Sequence, residues 1–322
     1  MPIVDMPLAE LKTFGGRNER PADMEAYWDK AIADMEALGT DCELIPAEFR
    51  VPGAECFDLY FTGVGGARVH GRYVRPVGGE GHPAVLLFHG YTGRGEGFAS
   101  MLRWAAVGFC AASMDCRGQG GLSQDSVSVL GNTYHGQIIR GLDDPDPEKL
   151  YFRNVYLDTA QLARIIMARP EVDGTKVGAH GGFQGGGLTL ACAALTPKLN
   201  RAAPQMPFLC DYRRVWEMDL AKDAYEELRE HFRHFDPRHE HEAEIFTKLG
   251  YVDCQHLAHR IRARVLMLTG LMDTVCPPST QFAAYNKITS EKRVVIYPDF
   301  AHEGYPDLEE IVMQFMLEMT RA

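Results

Sequence analysis

Residues 176–188 read KVGAHGGFQGGGL, and this stretch decides the fold. A short apolar run ends at Ala179, a turn crowded with glycine follows, and an apolar helical pattern begins near Leu188. Glycine is required where a strand and a helix meet too closely for side chains, and where the backbone adopts conformations that other residues avoid. The stretch therefore predicts a buried strand, a tight turn and a helix that returns along the sheet.

The same turn has the layout of a nucleophile elbow, in which a Gly-x-Ser-x-Gly sequence holds a serine on a strained strand-to-helix connection. Here Gly181-Gly182-Phe183-Gln184-Gly185 matches at both glycine positions, but Phe183 occupies the place of the serine. The turn alone is also compatible with an ordinary glycine-rich connection, or with one that cradles a phosphate. Other parts of the sequence are needed to distinguish between these interpretations.

Short apolar runs alternate with helical patterns on both sides of this turn. The runs lie at 84–88, 111–114, 177–179, 265–268 and 294–297, and the helical patterns lie near 97–106, 154–168, 185–196, 278–288 and 307–320. This alternation indicates βαβ units and a mostly parallel, twisted sheet with helices on both faces. We therefore predict the α/β class, with residues 1–322 forming a single domain.

Two regions depart from this rhythm. Residues 56–61 and 68–74 alternate apolar and polar side chains around a turn that contains Gly65 and Gly66, which predicts an antiparallel edge to the sheet. Residues of about 205–258 are rich in charge, aromatic side chains and histidine. We interpret them as a helical insertion over the carboxyl ends of the strands, where open α/β sheets bind ligands.

An aspartate and a histidine follow two of the later strands. Asp273 comes after the run at 265–268, and His302 comes after the run at 294–297. Taken singly, Asp273 could be a helix cap and His302 a solvated loop residue. The order of elbow, acid and histidine is the order of the α/β-hydrolase fold. In such a site the histidine takes the proton of the nucleophile, and the aspartate fixes the histidine tautomer.

A second glycine turn, FHGYTG at residues 88–93, follows the strand at 84–88. In this fold that turn supplies one half of the oxyanion hole. We predict that the backbone N–H groups of Tyr91 and Gln184 stabilise the negative oxygen of a tetrahedral intermediate. The alternative is a tight βα turn, which needs the same glycines.

Several separated motifs now resemble those of carbohydrate esterase family 7, the acetyl xylan esterases and cephalosporin C deacetylases. They are DCRGQGG at 115–121, GNT at 131–133, RGLDD at 140–144, PFLCDYRR at 207–214, GLMD at 270–273, PPST at 277–280, FAAYN at 282–286 and His302-Glu303. The resemblance implies an α/β-hydrolase that removes acetyl groups from small substrates, such as short xylo-oligosaccharides and cephalosporin C, by Ser-His-Asp catalysis. It further implies a cytoplasmic homo-oligomer, usually a hexamer. Arg117 and Gln119 are expected to support the site by hydrogen bonding.

Phe183 is where the chain departs from the Gly-x-Ser-Gln-Gly signature of that family. A benzyl side chain can neither lose a proton nor form an acyl-enzyme, so we expect the chain as written to be inactive or strongly impaired. Sites of this type that lose one member retain roughly 10³–10⁴-fold catalysis over water, but the Phe183 ring would also occupy the place of the ester carbonyl.

Three explanations of Phe183 stay open. The chain could be a disabled form of an ordinary esterase, or a non-catalytic pseudoenzyme that binds acetylated sugars or another ligand. Alternatively another group could attack, such as water assisted by His302 and Asp273. The side chains Ser123, Ser279 and Cys192 are unconvincing substitutes, because none lies on an elbow.

Composition excludes several other classes of partner. The net charge of −11 disfavours nucleic acid and anionic membranes, and no apolar run is long enough to span a bilayer. The amino terminus lacks a signal-peptide pattern, so we expect a cytoplasmic protein. The eight cysteines form no CxxC pair and are predicted to be reduced core thiols.

We expect no cofactor and no metal. The histidines of the insertion are predicted to lie on a solvated face rather than to bind zinc: His231, His234, His239 and His241. The acidic run at 143–148 lacks the glycine and the ligand spacing of a calcium loop.

Overall fold

The computed structural model describes residues 4–133 and 136–321. Its strands are β1 Cys42–Pro46, β2 Ala54–Thr62, β3 Arg68–Pro76, β4 His82–Phe88, β5 Cys110–Met114, β6 Val172–Gly182, β7 Arg201–Gln205, β8 Arg264–Gly270 and β9 Lys292–Tyr297. Its helices are α1 Leu8–Leu11, α2 Met24–Glu36, α3 Phe98–Ala105, α4 Tyr151–Met167, α5 Gln184–Leu195, α6 Tyr212–Glu217, α7 Glu226–Phe235, α8 Glu242–Leu249, α9 Cys254–Leu257, α10 Pro278–Lys287 and α11 Leu308–Leu317.

The strands form one sheet in the order β1-β2-β3-β5-β4-β6-β7-β8-β9. Strands β1, β2 and β3 pair antiparallel, and β3 joins β5 antiparallel. All pairs from β5 through β9 are parallel. The predicted fold class, a mostly parallel sheet with an antiparallel amino-terminal edge, is confirmed.

Each face of the sheet carries its own apolar layer. One layer packs α2, α4 and α5 against the sheet together with the helices of the insertion, and the other packs α3 and α11 against the opposite face. This double cover is what parallel strands require, because both of their faces must leave water. No helix within 4–133 or 136–321 is long and apolar enough to cross a membrane. The eight cysteines are unpaired, and all except Cys42 are buried.

Two strands were missing from the sequence prediction. Strand β1 extends the antiparallel edge by one member, and β7 lies between β6 and β8. The sequence of β7, RAAPQ, has little strand propensity and contains a proline. It is a strand because its neighbours on both sides supply ladder partners in the buried centre of the sheet.

The insertion contains α6, α7, α8 and α9, as its composition predicted. The prediction of a solvated histidine face is wrong for His231, which is only 4% exposed. The buried residues of α7 are Glu227, Leu228, His231 and Phe232, spaced as one helix face, so His231 belongs to the packed side. The side chains of His234, His239 and His241 are exposed, as predicted.

Candidate active site

The turn between β6 and α5 holds Phe183 in a conformation that side chains seldom adopt, with φ 58° and ψ −118°. The main chain around it is pinned from both sides. The Phe183 N–H donates to the Gln205 carbonyl at 3.1 Å, and the Phe208 N–H donates to the Phe183 carbonyl at 3.0 Å. Strain of this kind persists only where the surroundings fix it, and it is typical of functional turns.

The glycines that follow Gln184 allow the backbone of α5 to approach the backbone of the sheet closely. A Cβ atom on Gly185 would lie 2.0 Å from the Phe88 carbonyl oxygen, and one on Gly186 would lie 2.4 Å from that of Gln205. No side chain fits at either distance. The glycine crowding in the sequence therefore has its cause in the close approach of α5 to the ends of β4 and β7.

Asp273 and His302 lie beside this turn. Asp273 is fully buried, and its Oδ1 accepts hydrogen bonds from the N–H groups of Val275 and Cys276, each at 2.8 Å. Its Oδ2 is left for Nδ1 of His302, 2.9 Å away. A proton on Nδ1 directed at the carboxylate leaves Nε2 as the acceptor that can take a proton from another group.

The ring of Phe183 lies against this pair. Its centroid is 4.6 Å from that of the His302 imidazole, with an interplanar angle of 77°. The rings of Phe208, at 4.7 Å, and Tyr91, at 6.4 Å, complete the aromatic contacts of Phe183 on its other sides. The structure thus brings together the elbow, the aspartate and the histidine that the sequence singled out, with a benzyl ring at the elbow position.

The two backbone groups predicted to form an oxyanion hole also lie at this place. Within the described chain, the N–H groups of Tyr91 and Gln184 are paired with no protein acceptor. The side chain of Gln119 connects the turns that carry them. Its Oε1 accepts from the Thr92 N–H at 2.9 Å, and its Nε2 donates to Oε1 of Gln184 at 2.8 Å.

The Arg117 side chain lies outside this cluster and supports the loop that carries Gln119. Its guanidinium donates to Asp158 twice, at 2.7 and 2.6 Å, and to the Val64 carbonyl at 3.0 Å. Both members of the ion pair are fully buried. Tyr151 then donates to the Arg117 carbonyl at 2.5 Å and accepts from Gln119 at 3.1 Å, so Arg117 fixes the loop that presents Gln119.

His89 is a supporting residue that the sequence prediction missed. Its Nε2 accepts from the Cys116 N–H at 3.0 Å, so Nδ1 carries the proton and donates to the Gly90 carbonyl at 2.7 Å. Burial lowers the pKa of His89, which keeps the ring neutral and suited to both bonds. It joins the end of β4 to the loop at 115–119, and its position directly before Gly90 was the available signal.

The candidate substitutes for a serine are engaged elsewhere. Ser123 donates to the Asp115 carbonyl at 2.7 Å, and Cys192 lies inside α5 against the Thr159 carbonyl. Ser279 accepts from Arg214 at the start of α10. Within residues 4–133 and 136–321, none of the three forms a hydrogen bond with His302, whose Nδ1 pairs with Asp273.

Asp273, Cys276 and His302 place possible metal-ligand atoms within 4.8 Å of one another. The carboxylate of Asp273 already accepts three hydrogen bonds, and Cys276 is fully buried. Burial, together with the nearby Asp273, raises the pKa of the Cys276 thiol well above its usual value. Because a thiolate is the form that binds metals and attacks carbonyls, Cys276 serves neither role well.

Several proteins with clear similarity to this chain are acetyl or acetyl xylan esterases. The family model described as acetyl xylan esterase (AXE1) matches residues 1–319. Acetyl xylan esterase 1 from Thermoanaerobacterium sp. JW/SL YS485 superposes with a TM-score of 0.96 at 52% identity, over 98% of this chain and 99% of that one. The acetyl xylan esterase from Paenibacillus sp. R4 superposes with a TM-score of 0.92 at 35% identity, over 97% and 99%.

Acetyl esterase Axe7A of Xylanibacter ruminicola is 27% identical over 297 residues, which are 88% of this chain. The chain spans 64% of the length of that relative.

Proposed function

The chain belongs to the acetyl xylan esterase family, and we propose that it carries the deacetylation site of that family with the nucleophile position filled by Phe183. The observation that supports this is the His302–Asp273 pair, intact at 2.9 Å and lying against the residue at the strained elbow. In this proposal the chain as written forms no acyl-enzyme, so its turnover of small acetylated substrates is absent or very slow.

The geometry suits a serine mechanism once a hydroxyl stands at position 183. The hydroxyl oxygen attacks the acetyl carbonyl while its proton passes to Nε2 of His302, and Asp273 stabilises the imidazolium. The N–H groups of Tyr91 and Gln184 donate to the oxygen that becomes negative. His302 then returns the proton to the departing sugar oxygen, and water releases acetate from the acyl-enzyme.

Acetate release from p-nitrophenyl acetate tests the proposal. We would compare the chain with Phe183→Ser and with Phe183→Ala, which removes the ring without supplying a nucleophile. We expect Phe183→Ser to turn over with a burst and to be inactivated by a serine-directed reagent. The unchanged chain and Phe183→Ala should show no burst and remain slower by a factor of about 10³ or more. Equal rates for the serine and alanine variants would contradict the proposed nucleophile position.

A second candidate function is binding of acetylated sugars without turnover. It is favoured by the packing of Phe183, whose ring contacts His302, Phe208 and Tyr91 and so forms part of an ordered aromatic wall. Such a wall suits the methyl group of an acetyl ester. This alternative expects calorimetric binding of an acetylated xylo-oligosaccharide by the unchanged chain, and no turnover even by a folded Phe183→Ser variant.

The finer predictions about substrates and assembly belong to the same proposal. We propose short acetylated xylo-oligosaccharides and cephalosporin C as substrates of the site with serine restored, and a cytoplasmic homo-oligomer, with a hexamer as the form that the family resemblance implies. The proposed mechanism uses no cofactor, because its steps need only the hydroxyl at position 183, His302, Asp273, two backbone N–H groups and water.

A further inference from the structure

A buried carboxylate connects the helical insertion to the turn that follows β4. Glu227 on α7 is only 4% exposed. Its Oε1 accepts from the Tyr91 hydroxyl and from the Gln137 N–H at 3.0 Å, and its Oε2 accepts from the Ile139 N–H at 3.2 Å. Glu227 thus joins three segments that are far apart in the sequence: the turn at Tyr91, the segment at 137–139, and α7.

We propose that Glu227 is a positioning residue for deacetylation, which acts through the Tyr91 hydroxyl to fix the backbone N–H of Tyr91 in the oxyanion hole. The inference rests on the proposed function, since it assigns to Glu227 a part in the same reaction. It also gives the insertion a role in catalysis besides covering the site.

The contacts of Tyr91 leave its main chain few ways to move. Its hydroxyl donates to Glu227 and accepts from the Gln137 N–H at 2.7 Å. Its ring packs on that of Phe208, with centroids 5.4 Å apart. On the following residue, the Thr92 N–H is held by Gln119 at 2.9 Å. An oxyanion donor has to be placed to within about 0.5 Å, and these bonds hold the turn from both sides.

The Glu227 carboxylate packs closely against the segment that contains Gly136. A Cβ atom on Gly136 would lie 1.8 Å from Cδ of Glu227, so the carboxylate lies directly against the main chain of that segment. Replacing it by an amide would keep the shape but lose one acceptor, because the amide nitrogen would face a backbone N–H. It would also replace a charge-assisted hydrogen bond from Tyr91 by a weaker neutral one.

In the alternative, Glu227 has only a structural role: it binds the segment at 137–139 to α7 and does not affect the position of Tyr91. Tyr91→Phe separates the two roles, because it removes only the hydroxyl and keeps the ring and the backbone N–H. Tyr212→Phe is the control for removal of a tyrosine hydroxyl in the same region. Tyr212 is fully buried, whereas Tyr91 is partly buried, and within the described residues the Tyr212 hydroxyl has no hydrogen-bond partner.

The kinetic experiment uses the Phe183→Ser background and p-nitrophenyl acetate. We expect Tyr91→Phe and Glu227→Gln each to lower kcat about tenfold, with KM changed less than about twofold, because a misplaced oxyanion donor weakens only the transition state. The double variant should be no slower than Glu227→Gln alone, since both changes break one connection. Tyr212→Phe should leave kcat unchanged. Multiplicative losses, or a loss confined to KM, would overturn the proposal.

Hydrogen–deuterium exchange tests the connection without any activity. In the unchanged Phe183 chain, a peptide covering residues 89–94 should exchange faster in Tyr91→Phe and in Glu227→Gln, and not in Tyr212→Phe. Exchange that stays slow in both variants overturns the inference. Faster exchange with an undiminished kcat in the serine background also overturns it. If the serine variant is inactive, the proposed function fails by itself, and the exchange result alone decides whether Glu227 holds the turn.

Discussion

Arg117 and Asp158 form a fully buried ion pair behind the loop that carries Gln119. Removing one member of such a pair leaves the other charge buried without compensation, which costs about 3–5 kcal/mol. We therefore expect Arg117→Met to lower the free energy of unfolding by about that amount. Urea unfolding measures it, and Arg140→Met is the control, because the Arg140–Asp125 pair is partly exposed and should contribute about 0–1 kcal/mol. Equal losses in the two variants would contradict the argument.

The environment of His70 predicts how the stability of the fold depends on pH. It is buried between two carboxylates, 2.6 Å from Asp115 and 3.1 Å from Asp58. Burial alone would lower the pKa of His70, but its hydrogen bonds to Asp115 and Asp58 raise it. Burial likewise would raise the pKa of Asp115, and bonds from His70 and from backbone N–H groups lower it to about 2.

These two pKa shifts determine whether the free energy of unfolding rises or falls with pH. A raised histidine pKa stabilises the fold fully below the unfolded value of about 6.5, and this stabilisation is lost as the pH rises through the folded pKa. A lowered aspartate pKa stabilises above about 3.9 and is lost as the pH falls toward the folded value. We expect the difference in unfolding free energy between the chain and His70→Gln to be larger near pH 6 than at pH 9. A difference that grows with pH would refute this assignment.

The site residues found from sequence are those whose position on an element carries a signal. Phe183, Asp273 and His302 each follow a strand, and this order along the chain marks them. Glu227 gave no such signal, because its main partner Tyr91 is 136 residues away and a Glu in a charged insertion looks solvated. Buried polar partners of this kind depend on tertiary contacts that periodicity does not contain.

At the scale of elements, the packing of α5 against the sheet depends on the glycines of its first turn. Gly185→Ala would place a methyl group 2.0 Å from the Phe88 carbonyl oxygen, so α5 has to move away from β4 or the elbow has to distort. We expect a loss of several kcal/mol or failure to fold, whereas most single substitutions cost about 0.5–3 kcal/mol. Gly15→Ala is the control, since nothing lies within 4 Å of its Cβ position. Thermal unfolding of both variants measures the loss of stability. A loss for Gly185→Ala as small as that for Gly15→Ala would show that α5 can shift to accommodate the methyl group.

Helices and strands were predicted correctly where the apolar pattern is strong. They were missed where tertiary contacts with neighbouring elements determine the secondary structure. The five predicted runs lie within β4, β5, β6, β8 and β9, and the five helical patterns correspond to α3, α4, α5, α10 and α11. Strand β7 was missed because its ladder partners, not its residues, make it a strand. The burial of His231 was missed because the buried face of α7 includes polar residues, so the apolar pattern does not mark it.

For the whole molecule, we predict that residues 1–322 form a single domain. One apolar layer contains Trp28 and Met24 of α2, Phe232 of α7 and Phe246 of α8 among its members. The insertion therefore shares its core with the amino-terminal helix and the sheet. Segments that share a core should unfold together, even though a chain this long often shows intermediates.

The three tryptophans allow a direct test, since they report on different parts of the molecule. Trp28 lies in α2, Trp104 in α3 on the opposite face of the sheet, and Trp216 in α6 of the insertion. Three variants that each keep one tryptophan, with phenylalanine at the other two positions, would be unfolded in urea at one fixed protein concentration. We expect each fluorescence transition to coincide with the circular dichroism transition of the same variant, because losing either apolar layer exposes the sheet that both layers cover. An earlier transition seen only by Trp216 would instead make the insertion a separate folding unit, and would weaken the role assigned to Glu227 as a fixed point for the Tyr91 turn.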